Sequence, residues 1–135
     1  MIILGLNLNH ADTSACIIVD EKLEAAIEEE RFTRIKHYAG FPLNSINFCL
    51  KQINKDLSDV EYITVNYSPR SNINQKVIYS LKNFTSRATI KKILNFKNKL
   101  FIKSEFNKYL KSKNFRGKVI NIEHHKSHIA SAYYF

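Results

Sequence analysis

No stretch of this sequence approaches the ~20 consecutive apolar residues that a bilayer-spanning helix needs. The opening Met1–Leu6 is apolar but short, without the basic region and small-residue cleavage site of a secretory signal, so the cytoplasm is the expected compartment. Cysteine is scarce: Cys16 and Cys49 each sit inside an apolar run, a pattern that excludes a disulfide framework and offers no spacing for a catalytic thiol, and both read as buried small hydrophobes. Glycine and proline number three and two, and neither occurs between Ser71 and Arg116, so that stretch is not a flexible linker. There is no internal repeat and no low-complexity tract. Acid is missing from one region only. From Arg70 to Lys118 there are 14 Lys or Arg against the single Glu105, a net +13, while the remainder carries 7 bases and 11 acids, a net −4, giving +9 overall. The basic character therefore belongs to one segment, where it reads as a solvated helical face or a polyanion surface.

What is present is the composition of a folded domain, 44% hydrophobic and 24% charged over 135 residues, enough to bury a core. Ile2–Leu8, Ser14–Val19 and Leu23–Glu28 read as three strands joined by short turns, the second turn at Asp20-Glu21-Lys22, and so as an antiparallel meander. Arg31 to Gly40 reads as a polar loop. A helix starts at Pro42, which suits a first turn, with Leu43, Ile46, Leu50 and Ile53 as its apolar stripe and Phe48 and Cys49 flanking it. Tyr62–Asn66 is a strand. Residues 71–113 carry apolar positions at helical spacing, predicting two or three amphipathic helices. Lys118–Ile122 is a last strand and His124–Tyr134 a last helix. The order β-β-β-α-β-(αα)-β-α predicts an α/β fold, a mixed five-stranded sheet with flanking helices in which right-handed crossovers bring the fourth and fifth strands beside the first. That is the RNase H-like half of the actin and sugar-kinase architecture, one lobe of a two-lobed domain.

Three segments can carry chemistry. His124-His125-Lys126-Ser127-His128 holds three imidazoles in five residues. On a helix His124 and His128 share a face, roughly 6 Å apart at Cβ, so both could reach one divalent ion, with His125 turned aside; a further ligand is needed, and none follows in the chain. Asn9-His10-Ala11-Asp12-Thr13-Ser14 places a His, a carboxylate and hydroxyls at a strand–turn–strand corner, where they can orient phosphate oxygens or supply a base, although such residues also serve any turn. Glu28-Glu29-Glu30-Arg31-Phe32-Thr33-Arg34-Ile35-Lys36-His37 is either a solvated charge run or a loop that holds a phosphate or carboxylate.

These segments, with Gly5-Leu6-Asn7, Ala39-Gly40-Phe41-Pro42 and Ala130-Ser131-Ala132-Tyr133-Tyr134, stand in the order that resembles the nodulation-type and antibiotic O-carbamoyltransferases, over residues 1–66 and 118–135. Ala11 separates His10 from Asp12, where many members have the two adjacent. The resemblance implies a first domain similar to the metal-dependent subunit that installs threonylcarbamoyl on tRNA, and a second, YrdC-like domain. It implies ATP and carbamoyl phosphate as substrates, a carbamoyladenylate intermediate, and a sugar or natural-product hydroxyl as acceptor. Residue by residue, His124 and His128 match the metal pair, with iron expected and zinc or manganese possible on donor chemistry. His125 matches an adjacent active-site His, His10 and Asp12 face the carbamoyl and phosphate groups, and Arg34, Lys36 and His37 match the loop that holds the adenylate. The second lobe and the YrdC-like domain lie beyond residue 135. The chain then reads as a truncated N-terminal lobe, 1–135, with a basic helical insertion at about 71–117, inactive alone.

The rival expectation is a nucleic-acid- or polyanion-binding module using residues 70–118, in which Phe84, Phe96, Phe101, Phe106, Tyr109 and Phe115 interleave with Lys as in single-strand binders; those aromatics also sit at core spacing, and nucleic acid is not the expected partner. A kinase-like phosphotransferase is disfavoured because Asn7–Thr13 lacks glycines that let backbone amides approach phosphates.

Overall fold

The alternation of apolar and polar residues along Ile2–Asn7 (β1) puts Leu4 and Leu6 on one face of a sheet and Gly5 and Asn7 on the other. The same alternation in Ser14–Val19 (β2) buries Ala15 and Ile17. In this computed structural model, which describes residues 1–8, 11–66 and 101–134, β2 pairs antiparallel with β1 and with Lys22–Glu28 (β3). The β2–β3 connection is a two-residue turn with Asp20 and Glu21 both at positive φ, 47° and 70°, the type I′ geometry whose twist suits a hairpin. Glu24 is the extra residue of a β-bulge opposite Ile17/Ile18. Tyr62–Val65 (β4) and Lys118–Asn121 (β5) complete a five-stranded sheet in the order β3-β2-β1-β4-β5, with β4 parallel to β1 and β5 parallel to β4. The expected mixed sheet is thus present. Only the fourth strand lies beside the first; the fifth takes the outer edge.

Four α-helices and one 3-10 turn, Leu57–Asp59, are described. Glu30–Thr33 (α1) is a single turn inside the stretch expected to be loop. Leu43–Gln52 (α2) follows Pro42, which occupies the cap position rather than the first turn. Its buried face is Ser45, Ile46, Cys49 and Leu50, while Leu43 is 42% exposed. The stripe is rotated from the expected one because the helix is pinned through its second and third residues, Asn44 and Ser45, not through Leu43. Residues 101–112 are helical (α3), and Ile102, Phe106, Tyr109 and Leu110 turn inward, with Phe41 against Phe106 and Tyr109 at ring separations of 6.3 and 5.4 Å. His124–Tyr134 (α4) has the expected bounds. The expected helices of residues 71–100 lie outside the described residues.

The carboxylate that pins α2 is Glu29, only 1% exposed. Its Oε1 accepts from the Asn44 backbone N–H (3.2 Å) and side-chain amide (2.7 Å), and its Oε2 from the Ser45 N–H (2.8 Å) and hydroxyl (2.7 Å). The two backbone N–H groups are otherwise unsatisfied donors of a helix N-terminus, where negative charge is also favoured by the helix dipole. The Glu29 backbone N–H donates to the Thr13 carbonyl (2.9 Å), and its own carbonyl accepts from Phe32, Thr33 and the Thr33 hydroxyl.

At the sheet centre a Cβ on Gly5 would lie 2.6 Å from the Cys16 sulfur, and at the outer edge, just before β5, one on Gly117 would lie 2.4 Å from the Glu61 carbonyl. Both glycines therefore permit close approach of neighbouring strands.

Replacing Glu29 with Ala leaves the two buried Ser45 donors and the two part-buried Asn44 donors without their acceptor and is expected to cost about 3 kcal/mol, with Glu29→Gln costing roughly half; urea midpoints at constant m measure both. Gly5→Ala should cost about 1–3 kcal/mol through overpacking. Adding Cys16→Ala should recover part of that loss, so additive midpoint shifts for the double variant contradict the contact.

Candidate functional site

Because β1, β3, β4 and β5 all point the same way, the segments that leave their C-terminal ends gather at one edge of the sheet. In open α/β sheets that edge is where ligands bind. It collects the Asn7–Thr13 corner, the loop from Glu29 to Tyr38, Asn66, and the start of α4.

Asn7 and Asn66, at the ends of the paired strands β1 and β4, form the base. The Asn66 amide donates to the Asn7 Oδ1, its Oδ1 accepts from the Leu8 N–H (3.1 Å), and the Asn7 amide donates to the Asp12 carbonyl (2.8 Å). From the other side the Thr13 N–H and hydroxyl both donate to the Tyr38 carbonyl, at 3.1 and 3.0 Å. These bonds bring Asp12 and His37 face to face, with His37 Nδ1 at 2.8 Å from Asp12 Oδ1. The His37 N–H donates to Glu30 Oε2 at 3.3 Å. Both residues hold left-handed backbone, φ 62° for Asp12 and 56° for His37, and both side chains are open to solvent, 46% and 63% exposed. The hydrogen bond and charge of Asp12, then the charges of Glu30 and Glu28, hold the His37 imidazole above its ordinary pKa.

Arg34 and Lys36 are exposed on the same loop. His10 lies outside the described residues. On α4, His124 and His128 share a face as their spacing requires, with their Nε2 atoms 3.0 Å apart, while His125 is exposed beside them, its ring 5.8 Å from that of His124. Two convergent imidazole nitrogens fit part of a divalent metal site. Among the described residues no group of three or more His, Cys, Asp or Glu is arranged to complete one.

The sheet face opposite α2 forms the floor of an open groove of about 790 Å³, with Gly5 and Cys16 in the floor and Asn7, Ser14, Arg31, Thr64, Asn66 and Ser127 among its lining residues. Neither thiol is poised as a nucleophile. Burial raises Cys16, and burial, with a contribution from Cys16, pushes Cys49 up to about 12.

Nothing in the local spacing of the sequence pairs Asp12 with His37, which meet in the fold. Asp12 and His37 were assigned to different segments, and the three consecutive acids were treated as one run. They separate: Glu29 is buried under α2, Glu30 holds the His37 backbone, and Glu28 lines the groove, 4.0 Å from Arg31. The aromatics also resolve. Phe106 is buried and Tyr109 half-buried against Phe41, while Phe101 is 63% exposed; Phe84 and Phe96 lie outside the described residues. Among the described residues no helix is long and apolar enough to cross a membrane.

The family model for the carbamoyltransferase N-terminus matches residues 2–135. A Synechocystis protein, sll1178, is 33% identical over 142 residues, covering 98% of this chain and 23% of that protein. The nodulation protein NolNO of Sinorhizobium fredii is 42% identical over 52 residues, 38% of this chain and 8% of its own length. The chain thus spans less than a quarter of these relatives. Among solved structures, YeaZ from Pseudomonas aeruginosa superposes with a TM-score of 0.50 at 10% identity, over 90% of this chain and 42% of that one, and the RNase H-like fold is the property they share.

A raised imidazole pKa fixes the sign of a pH effect. The Asp12–His37 contact stabilises the fold fully below the ordinary histidine value of ~6.5 and loses that contribution as pH rises through the raised value. Denaturation midpoints of wild type and His37→Gln should therefore converge at alkaline pH and separate, wild type higher, below neutrality. Parallel curves would remove the contact's role.

Proposed function

The chain belongs to the carbamoyltransferase N-terminal family, and on that premise we propose that it is the lobe on which an ATP-dependent O-carbamoyltransferase receives carbamoyladenylate and passes its carbamoyl group to an acceptor hydroxyl. The observation that carries the reading is the convergence of Asp12, His37 and the α4 histidines on the ligand-binding edge of the sheet. Carbamoyl transfer needs a proton acceptor for the hydroxyl, cations for the phosphate and polarisation of the carbonyl, and that edge offers each kind of group. Arg34 and Lys36 are exposed cations on the loop and take the phosphate oxygens. Asp12 and His37 face the carbamoyl end. His125 and His10 remain candidate contacts to the transferred group.

His124 and His128 hold the divalent ion, iron first on the family resemblance, with zinc and manganese the alternatives compatible with imidazole. Such an ion supplies Lewis-acid polarisation of a carbonyl oxygen. In this reading further metal ligands, a second lobe and a YrdC-like domain that makes the adenylate from ATP and carbamoyl phosphate complete the enzyme. On the same reading the lobe by itself is inactive, and the acceptor is a sugar or natural-product hydroxyl reached in the assembled enzyme.

Carrying this chain together with the further length of its relatives, the protein should release AMP and pyrophosphate in an acceptor-dependent manner. A well-folded protein that fails to do so sinks the reading. On the chain itself, a divalent ion should bind weakly, and His124→Ala with His128→Ala should abolish that binding, as read by metal content after equilibrium dialysis. Equal binding by both proteins removes the metal assignment.

A further inference from the structure

Asp12 and His37 lie 25 residues apart on separate loops, and the fold fixes each from its own side. Asn7 holds the Asp12 carbonyl, Thr13 holds the Tyr38 carbonyl next to His37, and Glu30 holds the His37 N–H. Both residues occupy the left-handed region, which Asp and His tolerate better than most residues but still at a cost of order 1 kcal/mol. Stability does not account for the arrangement, because a solvent-exposed pair of this kind contributes about 0–1 kcal/mol. Backbone strain held in place by surrounding bonds around an accessible pair is the pattern of a functional device.

We propose that Asp12 is a positioning residue that keeps the His37 proton on Nδ1, so that Nε2 is the proton-accepting nitrogen of this site. The inference deepens the carbamoyl-transfer reading and rests on it for its substrate. As the acceptor oxygen bonds to the carbamoyl carbon, its proton passes to His37 Nε2, the bond from that carbon to the phosphate oxygen breaks, and adenylate leaves with the electron pair. The geometry is that of a carboxylate-oriented imidazole base. The charged groups around the ring are Asp12 from the β1–β2 corner, Glu28 at the end of β3 and Glu30 in α1, with Lys36 and Arg34 on the loop itself; the three acids all favour the protonated ring. His37 thus serves as an imidazole base on this loop, not as a third fixed cation beside Arg34 and Lys36.

The tautomer can be read on this chain by long-range 1H–15N spectroscopy, with His37 assigned through His37→Gln. Above its titration midpoint His37 should be protonated on Nδ1, and Asp12→Asn should both lower the midpoint toward ~6.5 and mix the tautomers, with Glu30→Gln producing a smaller fall and no mixing. A wild-type ring protonated on Nε2, or a midpoint that ignores Asp12→Asn, overturns the proposal. Should Asp12→Asn fail to fold, the wild-type tautomer alone decides. In the longer protein, His37→Gln should lower kcat about 10²- to 10⁴-fold, abolish the acidic limb of the pH profile, and leave KM for the carbamoyl donor within twofold. A raised KM with kcat retained makes His37 a donor-holding residue and overturns the assignment. If wild type transfers no carbamoyl group, the functional reading fails, while the tautomer and midpoint still decide the pair.

Discussion

One buried carboxylate governs how this lobe is put together. Glu29 satisfies four donors at the start of α2 while its backbone joins Thr13 and the turn of α1. Burying a charge is costly unless every lone pair has a partner, and here the partners are helix-terminal groups that would otherwise need water. The result ties the end of β3, the β1–β2 corner and the first turn of α2 to one point. The segment from Glu30 to Tyr38 is therefore a span anchored at Glu29 and again at Tyr38 through Thr13, and its anchoring delivers His37 to Asp12.

The sheet supplies the rest of the site. Parallel pairing of β1, β4 and β5 sends their ends to one side, and the Asn7–Asn66 contact binds two of those ends together below the Asp12 corner. On the far edge β5 has both faces exposed, with Val119 at 38% and Ile120 at 43%. The α4 helix that follows it presents Ile129 and Tyr133 at 71% and 80%. Among the described residues, one flank of the lobe is thus a core packed under α2 and α3, while the other exposes several large apolar side chains.

Much of this was legible in the sequence because it is written in local period. Alternation along β1, β2 and β4 identified strands, the i, i+4 spacing of His124 and His128 put both on one helix face, and short turns made the first three strands antiparallel. What escaped was written at a distance. Glu29 looks like its neighbours, and its partners Asn44 and Ser45 are 15 and 16 residues away with no periodicity connecting them. Asp12 and His37 meet only because two loops are anchored elsewhere. Leu43 matched an apolar stripe that the Glu29 contact rotates away from the core. The place of β5 at the outer edge, beyond β4 and not beside β1, depends on a crossover path that hydropathy alone does not rank.

The two faces of β1 impose two different disciplines on neighbouring letters of one short word. Leu4, Leu6 and Leu8 are accountable to the shape of the packed side, so drift at those positions is confined to side chains that refill the same volume. Across the sheet Ser14 and Thr64 line the groove, where a change alters what the groove can accommodate, while Asn7 and Asn66 line it and also hold the Asp12 corner. Diversification on the groove side is therefore open at Ser14 and Thr64, while Gly5, Asn7 and Asn66 answer to strand spacing and to the Asp12 corner as well.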